Sequence, residues 1–267
     1  MKKLRNISNR LYPAALLIGL VLLWHLVSST GLVQSYMLPS PVTVVSAFIG
    51  SFSELMGHAS ITLTEAFAGL GISIVLAFSI ALLMDRFEPL YKMVHPVLVV
   101  TQTIPPVALA PLLVLWFGYN MEPKIVLVVL VCFFPMTVAL LSGFRSSDTD
   151  ALSLMRAMGA KKSQIYRYIK LPNALPGFFA GLRISAAYAV VGGVIAEWLG
   201  GKGGLGVYMT RVRNSYSYDK MFAVIILVVA ISLILMKCVD LLERRMMPWR
   251  EPERVQRAAE GGAQDNS

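Results

Sequence analysis

The side chains best suited to chemistry in this sequence are few and scattered. Three histidines, His25, His58 and His95, stand on separate segments, with no H-E-x-x-H, no G-x-S-x-G and no paired-carboxylate motif around them. No catalytic residue and no metal site is expected, and His58 and His95 read as interfacial. Cys132 and Cys238 each lie inside an apolar run. They form neither a disulfide framework nor a zinc set, and read as small packing residues. The run Gly201-Lys202-Gly203-Gly204-Leu205-Gly206 satisfies G-x-G-x-x-G. That pattern cradles phosphate between a strand and a helix, whereas here it follows a long apolar run, so nucleotide binding is not expected there. A G-x-x-x-x-G-K-[ST] phosphate loop is absent. Three charged residues within or beside apolar runs, Glu65, Arg183 and Glu197, are the remaining candidates, since intramembrane charge often marks a pathway.

The elements that must position these residues are membrane helices. With 56% hydrophobic and 15% charged residues in 267, the chain is too apolar for an ordinary soluble domain. Apolar runs long enough to span a bilayer occur near 11–29, 59–84, 93–118, 124–143, 177–199 and 221–242. The first resembles a secretory signal, but no Ala-x-Ala cleavage site follows, so it is read as a retained span. The fold class is therefore all-α, a polytopic membrane protein with about six transmembrane helices. Excess Lys and Arg mark cytoplasmic segments. The amino-terminal tail, the 85–95 loop, the 143–175 loop and the stretch from Lys237 onward hold 18 basic residues. The alternate loops hold five: Lys124, Lys202, Arg211, Arg213 and Lys220. Both termini are thus expected in the cytoplasm, with residues 1–10 and 244–267 as tails, the latter disordered, and a membrane domain over 11–243. The +9 charge is read as cytoplasmic loop charge and not as a nucleic-acid footprint.

The longest cytoplasmic loop contains an amphipathic segment, residues 148–172. At 100° per residue, Ala151, Leu154, Met155 and Met158 share a face opposite Ser153 and Arg156. After Gly159, Ile165, Tyr168 and Ile169 oppose Ser163, Arg167 and Lys170. Two short helices hinged at Gly159 follow, either lying on anionic lipid or docking a cytoplasmic partner.

Gly159, Ile169 and Leu171-Pro172 resemble the "EAA…G…I-LP" signature of permease subunits of bacterial ATP-binding-cassette importers. The runs "LPSPVTVVSAF", "TQTIPPVALAPLLVLWFG", "LPNALPGFFAGLRISAAYAVVGGVIAEWLG" and "GGLGVYM" look like the branch importing sulfonates, taurine, nitrate and pyrimidine precursors of thiamine. Where the signature has Glu-Ala-Ala, this chain has Ser153-Leu154-Met155, which removes an acidic contact. The resemblance implies that Met155, Met158, Gly159, Ala160, Ile169, Leu171 and Pro172 form a coupling helix seated on a separate ATPase. In that reading Gly159 supplies a left-handed turn and Pro172 ends the second helix. The implied partners are two ATPase subunits, which bind the ATP, an extracytoplasmic substrate-binding protein and a second permease copy. The chain itself is expected to be no enzyme and to need no cofactor. A channel or structural membrane protein working without ATP, and a membrane-embedded hydrolase, are the alternatives.

Two further features concern the spans. Gly177, Gly181, Ser185, Ala189 and Gly193 recur every four residues as a ridge of small side chains, read as close helix packing. Pro105, Pro106 and Pro111 interrupt the third span and predict a kinked or partly unwound helix facing the bundle interior. Pro105, Pro106, Arg183 and Glu197 are the translocation-path candidates, although Arg183 is expected to snorkel to the cytoplasmic interface and Glu197 to reach external water.

Overall fold

The structure is a computed structural model that describes residues 2–31, 33–34 and 36–248, with side chains from Tyr12 onward. Residues 249–267, most of the expected carboxy-terminal tail and its predicted disorder, lie outside the described residues. The order is α1 (Lys2–Ser29), α2 (Pro41–Gly50), α3 (Phe52–Arg86), α4 (Glu88–Thr101), α5 (Pro106–Phe117), α6 (Glu122–Arg145), α7 (Thr149–Ala157), α8 (Lys162–Ile165), a π turn (Tyr166–Lys170), α9 (Leu171–Glu197), α10 (Leu205–Asn214) and α11 (Tyr218–Met246). No strand occurs among the described residues. Five helices are long and apolar enough to cross a membrane, and α4 with α5 makes a sixth crossing if the bent pair is counted as one.

The centre is α6, packed against α9 on one side and α3 on the other. Lipid tails are as apolar as leucine, so these contacts depend on close fit and polar bonds more than on a hydrophobic drive. The small-residue ridge provides that fit. A Cβ at Gly177 would sit 2.7 Å from the Ala139 carbonyl oxygen, and one at Gly181 3.0 Å from Met136 Cα. One turn further, Ser185 Oγ donates to the Cys132 carbonyl at 2.9 Å while Cys132 Sγ donates to the Ser185 carbonyl at 3.2 Å. Ala189 is fully buried, and Gly193 faces Thr62 and Val128. The ridge is therefore the α9 side of the α9–α6 contact, with Gly193 reaching toward α3.

α3 runs parallel to α6: Glu65 meets Lys124 near one end, and Ser73 Oγ donates to the Val129 carbonyl farther along. The end of α3 and the start of α6 thus lie at opposite ends of the bundle, and α4 with α5 must cross between them. This crossing is broken at the prolines, as the sequence leads one to expect, into two helices bent by 101°. Pro105 and Pro106 stand at the N-cap and first position of α5, with Pro105 extended at φ −63°, ψ 127°. Two successive residues without N–H groups cannot continue a helix, and a residue preceding proline is driven out of the helical region. Local bonds take up the freed carbonyls: Gln102 N–H reaches Leu98 O, Thr103 N–H reaches Val100 O, and Thr101 Oγ1 reaches Val97 O and Leu98 O. Pro111 lies inside α5.

Two expectations change. Pro172 does not end a helix. Residues 162–197 form one helical run, because a π turn at Tyr166–Lys170 widens the backbone just before the proline. Leu171 N–H bonds to Tyr166 O, and the wider turn relieves the clash between the ring and the preceding carbonyls. The 198–220 stretch, expected as a basic external loop, contains α10, whose Leu205, Tyr208 and Val212 are buried against Leu55, Ala59 and Val224. By contrast, α1 from Tyr12 to Ser29 has no buried residue. It is held at its far end, where Trp24 Nε1 donates to the Pro39 carbonyl at 3.0 Å and its ring stacks on Phe222.

Candidate functional site

At the α7–α8 end, Asp148 caps α7 by accepting the Asp150 N–H at 2.9 Å. The helix stops in a left-handed turn. Gly159 has φ 78°, its N–H bonds to Arg156 O, and Ala160 N–H bonds to Met155 O, both at 3.0 Å. This is the hydrogen-bond pair of a Schellman motif. Lys161 N–H then meets Gln164 Oε1 at 2.7 Å and α8 begins. Part of the apolar face of α7 is left open: Leu154 is 63% and Met158 76% exposed. Met155 and Ala160 are half-buried, as are Ile169, Leu171 and Pro172 at the start of the long helix.

The π turn at the end of this segment is anchored to α3, and the start of α9 that follows it to α6. Tyr166 Oη and Lys170 Nζ donate to the same oxygen of Asp85 in α3, at 2.5 and 2.6 Å, and the Asp85 side chain is buried. Asn173 Nδ2 donates to the Gly143 carbonyl of α6. Arg145 pairs with Glu88 of α4 at 2.7 Å and lies 3.4 Å above the Tyr91 ring. A displacement of α7 and α8 therefore reaches α3 through the π turn and α6 through Asn173 at the start of α9.

The elbow between α4 and α5 forms one wall of a cleft of about 450 Å³ closed by α6 and α9. Of the four path candidates, Pro106 lines it. The sequence reading missed Gln102 and Tyr188, which are the cleft's polar groups beside Thr101. The cluster Thr101-Gln102-Thr103 ahead of the prolines was the available signal. Arg183 is elsewhere. Instead of snorkelling alone, it pairs with Asp240 at 2.5 Å and Glu243 at 2.6 Å on α11.

Glu197 corrects the expectation most clearly, since it is fully buried and does not reach water. Its Oε1 accepts from Thr62 Oγ1 at 2.7 Å and its Oε2 from the Gly206 N–H at 2.6 Å. Thr62 Oγ1 accepts from Leu205 N–H, and His58 Nδ1 from Gly204 N–H. Gly204 and Gly206, within the stretch that matches G-x-G-x-x-G, close around this carboxylate. A Cβ at Gly204, where φ is 117°, would collide with it, and one at Gly206 would strike the Val194 carbonyl. Beside it, Glu65 and Lys124 form a buried ion pair at 2.8 Å, so Lys124 is no loop residue. Burial this deep of three ionisable side chains is tolerated only with such partners. The cluster fastens the start of α6, the end of α9 and the first part of α3 at the end opposite α7.

Residues 69–248 match the family described as binding-protein-dependent transport system inner membrane component. The chain is 36% identical over 244 residues to the formylaminopyrimidine transport permease protein of Halalkalibacterium halodurans, covering 91% of this chain and 97% of that one. It is 31% identical over 233 residues to a putative aliphatic sulfonates transport permease protein of Bacillus subtilis, covering 86% and 84%. In fold it resembles the inward-facing MetNI methionine ABC transporter, with a TM-score of 0.64 at 22% identity over 72% of this chain and 95% of that one. The chain belongs to the binding-protein-dependent inner membrane component family and is a membrane-spanning permease subunit of an ATP-binding-cassette importer.

Proposed function

We propose that this permease forms half of a two-fold transport path, docks a separate ATPase through α7, Gly159 and α8, and imports a small heteroaromatic or anionic organic solute. The observation that carries the coupling role is the Schellman turn at Gly159, which presents Leu154 and Met158 outward and leads into one continuous helix from 162 to 197. Force applied to the turn travels along α9 past the elbow cleft to the Glu197 cluster. With the buried Lys124 set aside, the 18-to-four split of loop basic residues supports cytoplasmic termini and a cytoplasmic α7–α8 end in a bacterial inner membrane. A second copy suits the uncovered α1 and the exposed Ile184, Tyr188 and Val191 on α9. ATP is bound by the partner ATPases, and an extracytoplasmic binding protein delivers the cargo. The names of the relatives support a pyrimidine precursor of thiamine or a sulfonate as that cargo. The test is a reconstitution of permease, ATPase and binding protein in proteoliposomes, with ATP hydrolysis followed across pyrimidines, taurine, alkanesulfonates and nitrate. Stimulation by one of these is expected. Tight binding of a sugar or peptide by the partner protein overturns the cargo assignment, and hydrolysis unaffected by any loaded binding protein overturns the coupling role.

A further inference from the structure

The last turns of α3 with Phe87, the α8–π turn and Phe144 of α6 line a groove of about 690 Å³ at the α7–α8 end. Arg86 and Arg167 stand on its rim, and Phe78, Leu82, Leu83 and Phe87 form much of its wall. We propose that this groove is a binding site for one anionic glycerophospholipid, with the phosphate against the two arginines and an acyl chain along Leu82 and Phe78.

Charge is the first reason. The neighbouring cations Lys170 and Arg145 are each neutralised, by Asp85 and Glu88. Arg86 and Arg167 meet no carboxylate among the described residues. Each instead lies over an aromatic ring, Arg86 5.7 Å from the Phe87 centroid and Arg167 6.0 Å from that of Tyr168. These contacts leave the guanidinium N–H groups free, and their planar fork matches phosphate oxygens.

Depth is the second. At 1.5 Å per residue, Leu82 lies about 6 Å and Phe78 about 12 Å along α3 from Arg86. α3 has 35 residues, which exceeds what a hydrocarbon core of roughly 30 Å requires, so its terminal Arg86 falls at headgroup level while the groove floor falls among the acyl chains. An acidic segment of a soluble partner would use the rim and leave the floor empty. The wall is also open sideways, since Leu82, Leu83 and Phe87 are 38%, 45% and 50% exposed. Basic pockets between membrane helices suit anionic headgroups for these reasons.

The site has a mechanical consequence. Tyr166 lines the same groove and bonds to Asp85, so a seated lipid braces the junction between α3 and the segment around Gly159.

The experiment is native mass spectrometry of the full-length permease, titrated with phosphatidylglycerol or with phosphatidylcholine of the same acyl chains. One saturable phosphatidylglycerol site is expected, and none of comparable affinity for phosphatidylcholine. The Arg86→Ala/Arg167→Ala variant should bind phosphatidylglycerol about thirtyfold more weakly, each cation near an anionic headgroup contributing roughly fivefold. Leu82→Trp, which narrows the acyl-chain side of the groove and keeps the charge, should also weaken it, and provides the test if the arginine variant fails to fold. Equal binding of the two lipids, unchanged binding in either folded variant, or full displacement by millimolar inorganic phosphate overturns the proposal. So does loss of the lipid when the ATPase is bound, which would mean that a soluble protein covers the groove.

Discussion

Gly159 offers the sharpest separation of backbone geometry from contact. A Cβ at this position meets nothing within 4 Å, so the cost of a side chain is conformational alone. At φ 78° an L-residue costs roughly 1–2 kcal/mol, with a β-branched residue at the upper end or beyond. The alternative is to abandon the turn, which loses the Gly159–Arg156 and Ala160–Met155 bonds at about 0.5–1.5 kcal/mol each. The two penalties are of similar size, so Gly159→Val should populate both a strained and an unravelled end of α7. About 2 kcal/mol against the docked geometry lowers its population roughly thirtyfold. Asparagine tolerates the left-handed region, so Gly159→Asn should keep most activity. The assay is substrate-stimulated ATP hydrolysis by the permease with its ATPase and binding protein in proteoliposomes, normalised to permease in the membrane. The expected order is Gly, Asn, Ala, Val. Wild-type stimulation in Gly159→Val refutes the reasoning, and equal loss in Asn and Val shows that the glycine is needed for a close contact and not for its φ.

Lys124→Met should destabilise the purified permease by about 3–5 kcal/mol, because it strands Glu65 in a buried site. Adding Glu65→Gln should recover much of that loss in the same thermal-unfolding measurement. Gly204→Ala drives a methyl group into the Glu197 carboxylate and should cost about 1–3 kcal/mol by the same measurement. Gly181→Leu should loosen α9 from α6 by overpacking, on the order of 1–3 kcal/mol, lowering yield and melting temperature together. For sidedness, single cysteines are introduced at Lys202 and Ser153 in a chain lacking Cys132 and Cys238. The first should label with an impermeant thiol reagent from outside and the second from the cytoplasm only. The reverse pattern overturns the assigned orientation.

Local pattern carried the reading of spans, hinge and packing ridge, because hydrophobic runs, the four-residue spacing from Gly177 to Gly193 and the Gly159 break are each written within a few turns of one helix. The same locality explains the misreadings. Pro172 looked like a terminator because the π turn that accommodates it depends on Tyr166 and Lys170 being held by Asp85, 81 and 85 residues away. Lys202, Arg211 and Lys220 made 198–220 look like a solvated loop, and α10 lies there because Leu205, Tyr208 and Val212 find a surface made by α3 and α11. Glu65, Lys124 and Glu197 were visible as charges, yet their function in the fold was not, since their partners lie 59 and 135 residues apart. By itself, then, the sequence determined an all-helical membrane chain, its hinge and which faces were small enough to pack. Only the tertiary structure decided which charges are buried, because a charge leaves water only where the whole fold brings it a partner.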